Sequence, residues 1–272
     1  MDDFNYVNLT RLTRCHSTPS RTAHENMVAA ALNSIGLNQA HLNRYSNIVP
    51  FDSHLASCSL GYVNASLIKF DEVNQYIIAA GPMAPEYYGP DTRPAFWHCA
   101  VENDVKVMVG LAEFGKGFSG CADYLQKKKY GDWDLSVLKT EIKPSYTRRN
   151  LKFANGQTEH FLVHFHFTTW PNYSIPEAVG NLRELIYDVN EVWNQEGCGK
   201  LMVHCSGGCG RSGTFVATLQ AYRTSPPPNK EELPSLIFRI ILQLRQQRHP
   251  WMVEGEYQYR LIQPLVMSLL AL

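Results

Sequence analysis

Short apolar runs rich in β-branched side chains mark the predicted strands of this chain. Such runs occupy residues 63–68, 76–80 and 105–109, and each is bounded by Gly, Pro, Asp or Asn, as strand ends commonly are. Residues 161–167 alternate more regularly, and a period of two predicts a strand with one face in the core. The predicted core face carries Phe161, Val163, Phe165 and Phe167, and the predicted outer face carries Leu162, His164 and His166.

Helical periodicity dominates the second half of the chain. Apolar residues recur every three or four positions in 182–193 and 236–244, which places them on one helix face. Residues 225–228 contain three successive prolines and predict a loop. A last helix is predicted from about Val253, bent or ended near Pro264, and residues 25–35 are alanine-rich and helix-prone. Because strands and helices interleave irregularly, the sequence predicts one α/β domain with a twisted mixed β-sheet flanked by helices.

Composition and charge are those of an ordinary globular protein. The chain has 272 residues, 44% of them apolar, and its 25 Lys and Arg balance 25 Asp and Glu. Zero net charge removes the long-range attraction that nucleic-acid binders use, so no nucleic-acid partner is predicted. No run reaches the roughly 18 apolar residues of a membrane span, and the first residues match neither a signal peptide nor a myristoylation site. We therefore expect a cytoplasmic monomer with no membrane partner.

The chain divides into two predicted regions. Residues 1–25 are polar and include Thr18-Pro19-Ser20, which predicts a loosely ordered segment, and residues 26–272 are predicted to form the folded domain. The seven cysteines are odd in number and irregularly spaced, which argues against a disulfide framework. Most of them are expected to be small buried hydrophobes.

One segment combines the features of an anion-binding site. A strand at 201–203 leads into a glycine-rich loop and then into an apolar helix that begins near Ser212. This order gathers backbone N–H groups into a nest for anions. Cys205 stands at the mouth of the nest, with five residues between it and Arg211, and such surroundings favour a thiolate. The segment is therefore predicted to hold a phosphate group over a sulfur nucleophile. The loop backbone must turn tightly, and the glycines that permit this turn are Gly207, Gly208 and Gly210.

Two other kinds of site match parts of the same segment. His204, Cys205 and Cys209 could bind zinc, although their spacing is not the usual Cys-x2-Cys. A nucleotide-binding P-loop would close with Gly-Lys-Ser or Gly-Lys-Thr, which the segment lacks. Neither a metal nor a cofactor is therefore predicted.

The motif His-Cys-x5-Arg-Ser-Gly at 204–213 resembles the signature loop of the cysteine-dependent protein tyrosine phosphatases. Further segments resemble this family in the expected order, namely Asn43-Arg44-Tyr45, 61–66, 76–82, Phe96-Trp97, 168–171 and 246–259. The resemblance covers about residues 26–272. It is to the tyrosine-specific, non-receptor-like branch with a single domain, and it implies that family's fold.

The resemblance also implies a mechanism and a set of site residues. Cys205 would attack phosphorus and form a cysteinyl-phosphate, with Arg211 and Ser212 assisting. Tyr45 would line a deep pocket that admits phosphotyrosine. The shorter side chain of phosphoserine would not reach the sulfur at the bottom of this pocket. The partner implied is a tyrosine-phosphorylated protein or peptide. The substrate-binding residues implied are Tyr45, Asn47, His204, Ser206, Gly207, Gly208, Cys209, Gly210 and Arg211.

Several positions depart from the family pattern. The family has a general-acid Asp after Trp-Pro, where this chain has Asn172, and an amide cannot give its proton to a departing tyrosinate. Glu254 aligns with the family's water-positioning Gln, and Gln258 aligns with a second Gln. The Glu254 carboxylate would repel phosphate, although it could also act as a base. Asn47 stands where the family usually has an Asp that accepts the backbone N–H of the substrate. Gly120 stands where the family commonly has a Lys.

Three functions are compatible with this pattern. The first is a phosphotyrosine-engaging phosphatase-like protein that is weakly active or inactive. The second is an active tyrosine phosphatase in which another group, such as Glu254, replaces the lost acid. The third is a scaffold indifferent to phosphate. The compact form also resembles the small phosphatases of insect-associated polydnaviruses, which would place the protein in the cytoplasm of a host cell.

Some cysteines and histidines allow two interpretations. Cys209 is either a small apolar filler or a residue that traps oxidised Cys205 as a disulfide. His204 orients the loop, as the resemblance implies, or is a satisfied core histidine, and the two are compatible. The remaining histidines, including His164 and His166, are predicted to lie at the surface rather than to bind metal.

Overall fold

An eight-stranded sheet organises the molecule. The computed structural model describes residues 35–271 apart from 88, 116–119, 172, 173, 177 and 198. The strands lie in the spatial order β1-β2-β8-β3-β7-β6-β5-β4. Their bounds are β1 (Ala65–Lys69), β2 (Gln75–Ala80), β3 (Val105–Gly110), β4 (Lys129–Tyr130), β5 (Trp133–Ile142), β6 (Thr147–Ala154), β7 (Glu159–His166) and β8 (Lys200–Cys205).

The centre of the sheet is parallel and its two margins are antiparallel. Strand β8 pairs in parallel with β2 and β3, and β3 pairs in parallel with β7. Strand β1 and strands β6, β5 and β4 extend the sheet with antiparallel pairs. Ligands of such sheets bind outside the carboxyl ends of the parallel strands. The loop that follows β8 begins at this edge, in the middle of the parallel part.

Helices cover both faces of the sheet. Their bounds are α1 (Ile35–Asn38), α2 (Arg93–Glu102), α3 (Val179–Gln195), α4 (Gly210–Arg223), α5 (Leu233–Gln247) and α6 (Glu256–Leu270). Helices α3 to α6 share one core with Val109 and Val203. Helix α2 shares a second core with Met108 and Met202. Alternate residues of the central strands therefore enter two cores, as expected for a parallel sheet that is buried on both sides.

The predicted fold class is confirmed, because the chain forms a mixed α/β domain with helices on its sheet. The predicted strands at 63–68, 76–80 and 105–109 correspond to β1, β2 and β3, and the proline-rich loop lies between α4 and α5. No helix in the described part of the chain combines the length and the apolar character that crossing a bilayer requires.

Strand β7 is buried differently from the sequence prediction. Val163 and Phe165 are buried as predicted, but Phe161 is 47% exposed. His164 and His166, which were predicted to lie at the surface, are 0% and 8% exposed. The prediction was wrong because β7 belongs to the parallel part of the sheet, where the α2 side is covered as well. Phe161 lies outside this covered region, because it precedes Val163, at which the pairing with β3 begins.

The last helix also differs from its prediction. It begins at Glu256 rather than near Val253, whose φ of +59° is left-handed and cannot start an α-helix. Pro264 does not end the helix, which continues to Leu270, because its buried face packs in the core and offsets the one backbone hydrogen bond that the proline removes. The predicted helix at 25–35 and the predicted segment 1–25 lie outside the described residues, except for Ile35.

A buried arginine ties the start of α2 to the segment that follows β3. The Arg93 side chain is 2% exposed. Its Nε and Nη2 donate to the two carboxylate oxygens of Asp91 at 2.7 and 2.8 Å, and its Nη1 donates to Glu86 at 2.9 Å. Lys127 donates to the same Asp91 carboxylate at 2.7 Å. Bidentate geometry makes this pair stronger than a surface ion pair.

We expect Asp91→Asn to lower the free energy of unfolding by about 1–2 kcal/mol, because Arg93 then loses its charged, bidentate partner. The effect stays in this range because solvent partly screens the ion pair. Burial by itself raises the pKa of Asp91, but hydrogen bonds from Arg93 and Lys127 lower it to about 2. The contribution is therefore complete above about pH 4 and is lost as the pH falls towards 2. Urea unfolding of both proteins between pH 7 and pH 3 measures this difference.

Glu256→Gln is the control for that comparison. It removes an exposed ion pair between Glu256 and Arg260 on α6, and its effect should stay below about 0.5 kcal/mol. Equal stability of Asp91→Asn and the natural chain at pH 7 would contradict the role assigned to Asp91.

Candidate active site

The loop of residues 205–211, here named the nest loop, connects β8 to α4. Cys205 is the last residue of β8, and α4 begins at Gly210. Gly208 has a φ of +72°, and a Cβ at this position would lie 2.3 Å from the carbonyl oxygen of Ala79 in β2. The loop therefore requires glycine there, because no L side chain fits between the loop and the neighbouring strand.

Cys205 lies at the floor of the nest loop and is 3% exposed. Burial by itself raises the pKa of its thiol. The charge of Arg211, the hydroxyl and N–H of Ser212, and the N–H of Gly208 outweigh this burial, so the pKa lies below its usual value. The Gly208 N–H donates to the Cys205 Sγ at 3.2 Å. This arrangement favours a thiolate, which is the nucleophilic form of cysteine.

Arg211 joins the nest loop to two neighbouring segments. Its side chain is buried, and its Nη1 donates to the carbonyl oxygens of Leu111 at 2.9 Å and Trp170 at 3.1 Å. The indole N–H of Trp170 donates to the carbonyl oxygen of Ser174 at 2.9 Å. The segment that contains Trp170 is thereby held against the nest loop. Asn172, a predicted site residue of this segment, lies outside the described residues.

Ser206 is the point at which the segment around Tyr45 meets the nest loop. The Tyr45 hydroxyl lies 2.7 Å from the Ser206 Oγ, to which the Arg44 Nε also donates at 3.0 Å. The Ser206 Oγ lies 2.9 Å from the carbonyl oxygen of Gly120. Because a carbonyl oxygen only accepts, the single hydroxyl proton of Ser206 goes to Gly120, and the Tyr45 hydroxyl donates to Ser206.

The ring of Tyr45 also borders the nest loop. A Cβ at Gly207 would lie 3.4 Å from two ring carbons of Tyr45, so ring and loop backbone are neighbours. Asn47, two residues further along, is exposed. The structure thus brings the predicted residues Tyr45 and Ser206 together and leaves Asn47 at the surface beside them.

Glu254 and Gln258 lie beside the start of α4. A Cβ at Gly210 would lie 3.0 Å from both the Glu254 Oε2 and the Gln258 Oε1, so both side chains border the nest loop. Gln258 is 1% exposed; its Oε1 accepts from the Glu254 N–H at 3.1 Å, and its Nε2 donates to the Ser174 carbonyl at 3.4 Å. Gln258 therefore connects the segment after α5 to the segment of Trp170.

Residues 39–268 match the family model described as protein-tyrosine phosphatase. The chain belongs to this family. The match includes all the segments that surround the nest loop, and the resemblance of the signature motif to this family is thereby confirmed.

Individual phosphatases of several organisms are similar to this chain. Receptor-type tyrosine-protein phosphatase eta of Gallus gallus is 28% identical over 242 residues, which cover 84% of this chain and 16% of that protein. Tyrosine-protein phosphatase non-receptor type 7 of Rattus norvegicus is 29% identical over 230 residues, which cover 77% of this chain and 62% of that protein. Protein-tyrosine-phosphatase PTP1 of Arabidopsis thaliana is 31% identical over 208 residues, or 69% of this chain and 58% of that protein. The chain thus spans less than two thirds of each of these relatives.

A buried arginine supports the nest loop of this phosphatase-family domain from behind. Arg248 is 0% exposed and donates to the Asn64 Oδ1 at 2.6 Å and to the carbonyl oxygens of Gly208 and Gly207 at 3.4 and 3.5 Å. Asn64 in turn donates to the Asn43 Oδ1 at 2.8 Å. Arg248 and Asn64 are 184 positions apart. No local pattern in the sequence indicates that these two residues meet.

Two further residues of the signature motif are buried among partners. Cys209 is 2% exposed, and burial raises the pKa of its thiol to about 12, so it is a neutral thiol in the core. His204 is 0% exposed; its Nε2 lies 2.8 Å from the Tyr124 hydroxyl and its Nδ1 lies 3.2 Å from the Cys205 carbonyl oxygen. Because both ring nitrogens have protein partners, His204 is poorly suited to bind zinc.

We expect iodoacetamide to alkylate Cys205 at pH 6 before it alkylates the other described cysteines. The thiolate is the reactive form, and among the described cysteines only Cys205 has surroundings that lower the thiol pKa. Peptide mapping by mass spectrometry after a short exposure measures the order of labelling. Burial raises the thiol pKa at Cys58, Cys99, Cys121 and Cys209.

Arg211→Met tests the cause of this reactivity. Loss of the guanidinium charge should slow the labelling of Cys205 at pH 6, whereas Arg260→Met, on the exposed side of α6, should leave it unchanged. Labelling of Cys58 ahead of Cys205 in the natural chain would contradict the expected thiolate.

Proposed function

We propose that this chain engages phosphotyrosine and hydrolyses it weakly or not at all. The observation that carries the proposal is an asymmetry between two parts of the site. The nest loop keeps Cys205 and Arg211, whereas the residue after Trp170-Pro171 is Asn172 in place of the family's Asp. The Tyr45 ring beside the loop supports a preference for an aryl phosphate. The partner that fits this site is a tyrosine-phosphorylated protein or peptide.

The lost carboxylate belongs to the first chemical step. Tyrosinate is a poor leaving group because the pKa of the phenol is about 10. An amide can donate a hydrogen bond to the departing oxygen but cannot give it a proton. A positioned general acid contributes about 10²–10⁴-fold, which corresponds to about 3–5 kcal/mol of the barrier. Asn172 therefore slows phosphoryl transfer to Cys205 while the groups that bind phosphate remain.

Glu254 adds an obstacle at the nest loop. The family's water-positioning Gln is expected at this place, and the carboxylate borders the loop at Gly210. Two like charges about 4 Å apart in water repel each other by about 1 kcal/mol. Glu254 therefore weakens phosphate binding and leaves the hydrolytic water without the amide that would orient it.

An active tyrosine phosphatase is the second candidate function, and the position of Glu254 is the observation that favours it. A carboxyl group at the rim of the nest loop could protonate the leaving tyrosinate in place of residue 172. A phosphate-independent scaffold is the third hypothesis. The cytoplasmic location, the polydnavirus-type origin, the monomeric state and the domain bounds 26–272 stay predictions.

Asn172→Asp is expected to raise the turnover of a phosphotyrosine peptide by about 10²-fold or more, because it restores the proton donor. Affinity for the peptide should change far less, since Cys205, Arg211 and Tyr45 are untouched. Single-turnover phosphate release and titration calorimetry on the same peptide measure the two quantities.

Asn172→Ala is the matched control, and its turnover should stay within about fivefold of the natural chain, because neither residue can supply a proton and the lost amide accounts for about one hydrogen bond. Substantial turnover by the natural chain that Asn172→Asp does not improve would refute the proposal. Binding that survives Arg211→Ala unchanged would favour the scaffold.

Glu254→Gln is expected to tighten peptide binding about fivefold, because it removes about 1 kcal/mol of charge repulsion. Glu256→Gln, an exposed substitution two residues away on α6, should leave the affinity unchanged. If Glu254 is instead the acid of an active phosphatase, Glu254→Gln strongly lowers turnover, and the fall of the remaining rate at high pH, where the acid would deprotonate, disappears from the pH–rate profile.

A further inference from the structure

A chain of hydrogen bonds runs behind the nest loop on the α2 side of the sheet. The Tyr124 hydroxyl lies 2.9 Å from the His164 Nε2 and 2.8 Å from the His204 Nε2. The His204 Nδ1 lies 3.2 Å from the Cys205 carbonyl oxygen. Tyr124, His164 and His204 are each 0% exposed. These hydrogen bonds therefore link β7 to β8 and end at the backbone of Cys205, which carries the reactive sulfur.

The number of ring and hydroxyl protons available fixes the direction of each of these hydrogen bonds. A carbonyl oxygen only accepts, so the His204 Nδ1 carries the proton that it donates to Cys205. Burial lowers the pKa of His204 to about 3, so the ring is neutral and its Nε2 is bare. The one hydroxyl proton of Tyr124 then goes to the His204 Nε2. The Tyr124 oxygen is left to accept a proton from the His164 Nε2.

The reverse direction fails at its last bond. If Tyr124 donated to His164, the His204 Nε2 would have to carry the ring proton of His204. The bare His204 Nδ1 would then face the Cys205 carbonyl oxygen, with two lone pairs opposed at 3.2 Å. Two buried acceptors in contact would lack the hydrogen bond that buried polar groups require.

The surroundings of His164 agree with this direction. Burial, together with the neighbouring His166, Arg149 and His204, lowers the pKa of His164 well below its usual value, so the ring is neutral. Its Nδ1 is buried and has no hydrogen-bond partner among the described residues. A buried bare acceptor is easier to tolerate than a buried N–H without a partner. The Tyr124 pKa is raised by burial, so this hydroxyl keeps its proton.

We propose that His164 is a positioning residue for the nest loop. By donating to Tyr124, it leaves the hydroxyl proton for His204 and holds His204 in the Nδ1–H tautomer that binds the Cys205 carbonyl. The peptide after Cys205 is planar, so a fixed carbonyl also fixes the N–H of Ser206 on its opposite side. Loop amides stabilise the thiolate, so a change at the start of the loop changes the reactivity of Cys205.

The tautomers are read from the ¹⁵N chemical shifts of the histidine rings in the natural chain. Between about pH 6 and 8, where an ordinary histidine titrates, we expect His204 as the Nδ1–H form and His164 as the Nε2–H form throughout. His204 found as the Nε2–H form, or His164 as the Nδ1–H form, would overturn the inference. This measurement involves no phosphotyrosine, so its outcome is independent of the proposed function.

The effect on Cys205 is measured by its rate of alkylation with iodoacetamide at pH 6. His164→Leu removes the donor and is expected to slow labelling about fivefold, the factor that one net hydrogen bond supplies. Tyr124→Phe removes both bonds and should slow it at least as much. His164→Gln has an amide N–H near the position of the Nε2–H and is expected to restore the rate.

His160→Leu is the matched control on the same strand. The His160 Nε2 contacts the Val105 carbonyl oxygen at 2.7 Å and does not belong to the chain. This variant loses a buried hydrogen bond and should be less stable, yet it should keep the labelling rate of Cys205. A folded His164→Leu protein with the natural rate would overturn the inference, and so would an equal loss in His164→Gln. Should His164→Leu not fold, the ring tautomers of the natural chain decide.

Discussion

A buried sulfur anion persists under the nest loop only because one guanidinium and a few backbone amides offset the cost of burying it. Burial acts on every described cysteine in the same direction, and at Cys205 alone Arg211, Ser212 and Gly208 reverse the net effect. The rest of the site depends on this balance. Gly208 brings the loop against β2, and Arg211 holds the segments of Leu111 and Trp170 in place.

The chemistry of the nest loop could be predicted from the sequence because it is local. Strand, glycines and helix start follow one another within a few residues, so spacing alone places Cys205 above a helix N-terminus. The partners of the loop could not be predicted, because Arg248 and Asn64 meet across 184 positions and Tyr124 and His204 across 80. Such contacts follow from strand order, which a single sequence does not specify.

The wrong predictions have the same origin. The alternation of β7 predicts one buried and one exposed face, but this strand pairs in parallel with β3 and both of its faces are covered there, so His164 and His166 are buried. Pro264 favours a bend or an end of the last helix, but α6 does not end there, because packing on the core keeps it continuous to Leu270. In each case tertiary burial outweighed a local preference. The same burial turns His164 into part of the support of the nest loop.

Binding and turnover are separable in the account proposed for this domain. In this proposal Arg211 and the loop amides would contact phosphate before and after the reaction, whereas a general acid acts only as the leaving group departs. A chain that keeps the phosphate-binding groups and has Asn172 in place of the general acid would retain affinity for phosphotyrosine and lose the rate of its hydrolysis. A protein of this kind would occupy a phosphotyrosine and shield it from active phosphatases.

Phosphorus NMR of a phosphotyrosine peptide mixed with equimolar protein tests this separation most directly, because one spectrum reports both occupancy and chemistry. We expect a saturable shift or broadening of the phosphotyrosine resonance that persists for hours without inorganic phosphate. Conversion of that resonance to inorganic phosphate within minutes would refute the loss of turnover, and a phosphotyrosine resonance that the protein leaves unchanged would refute binding.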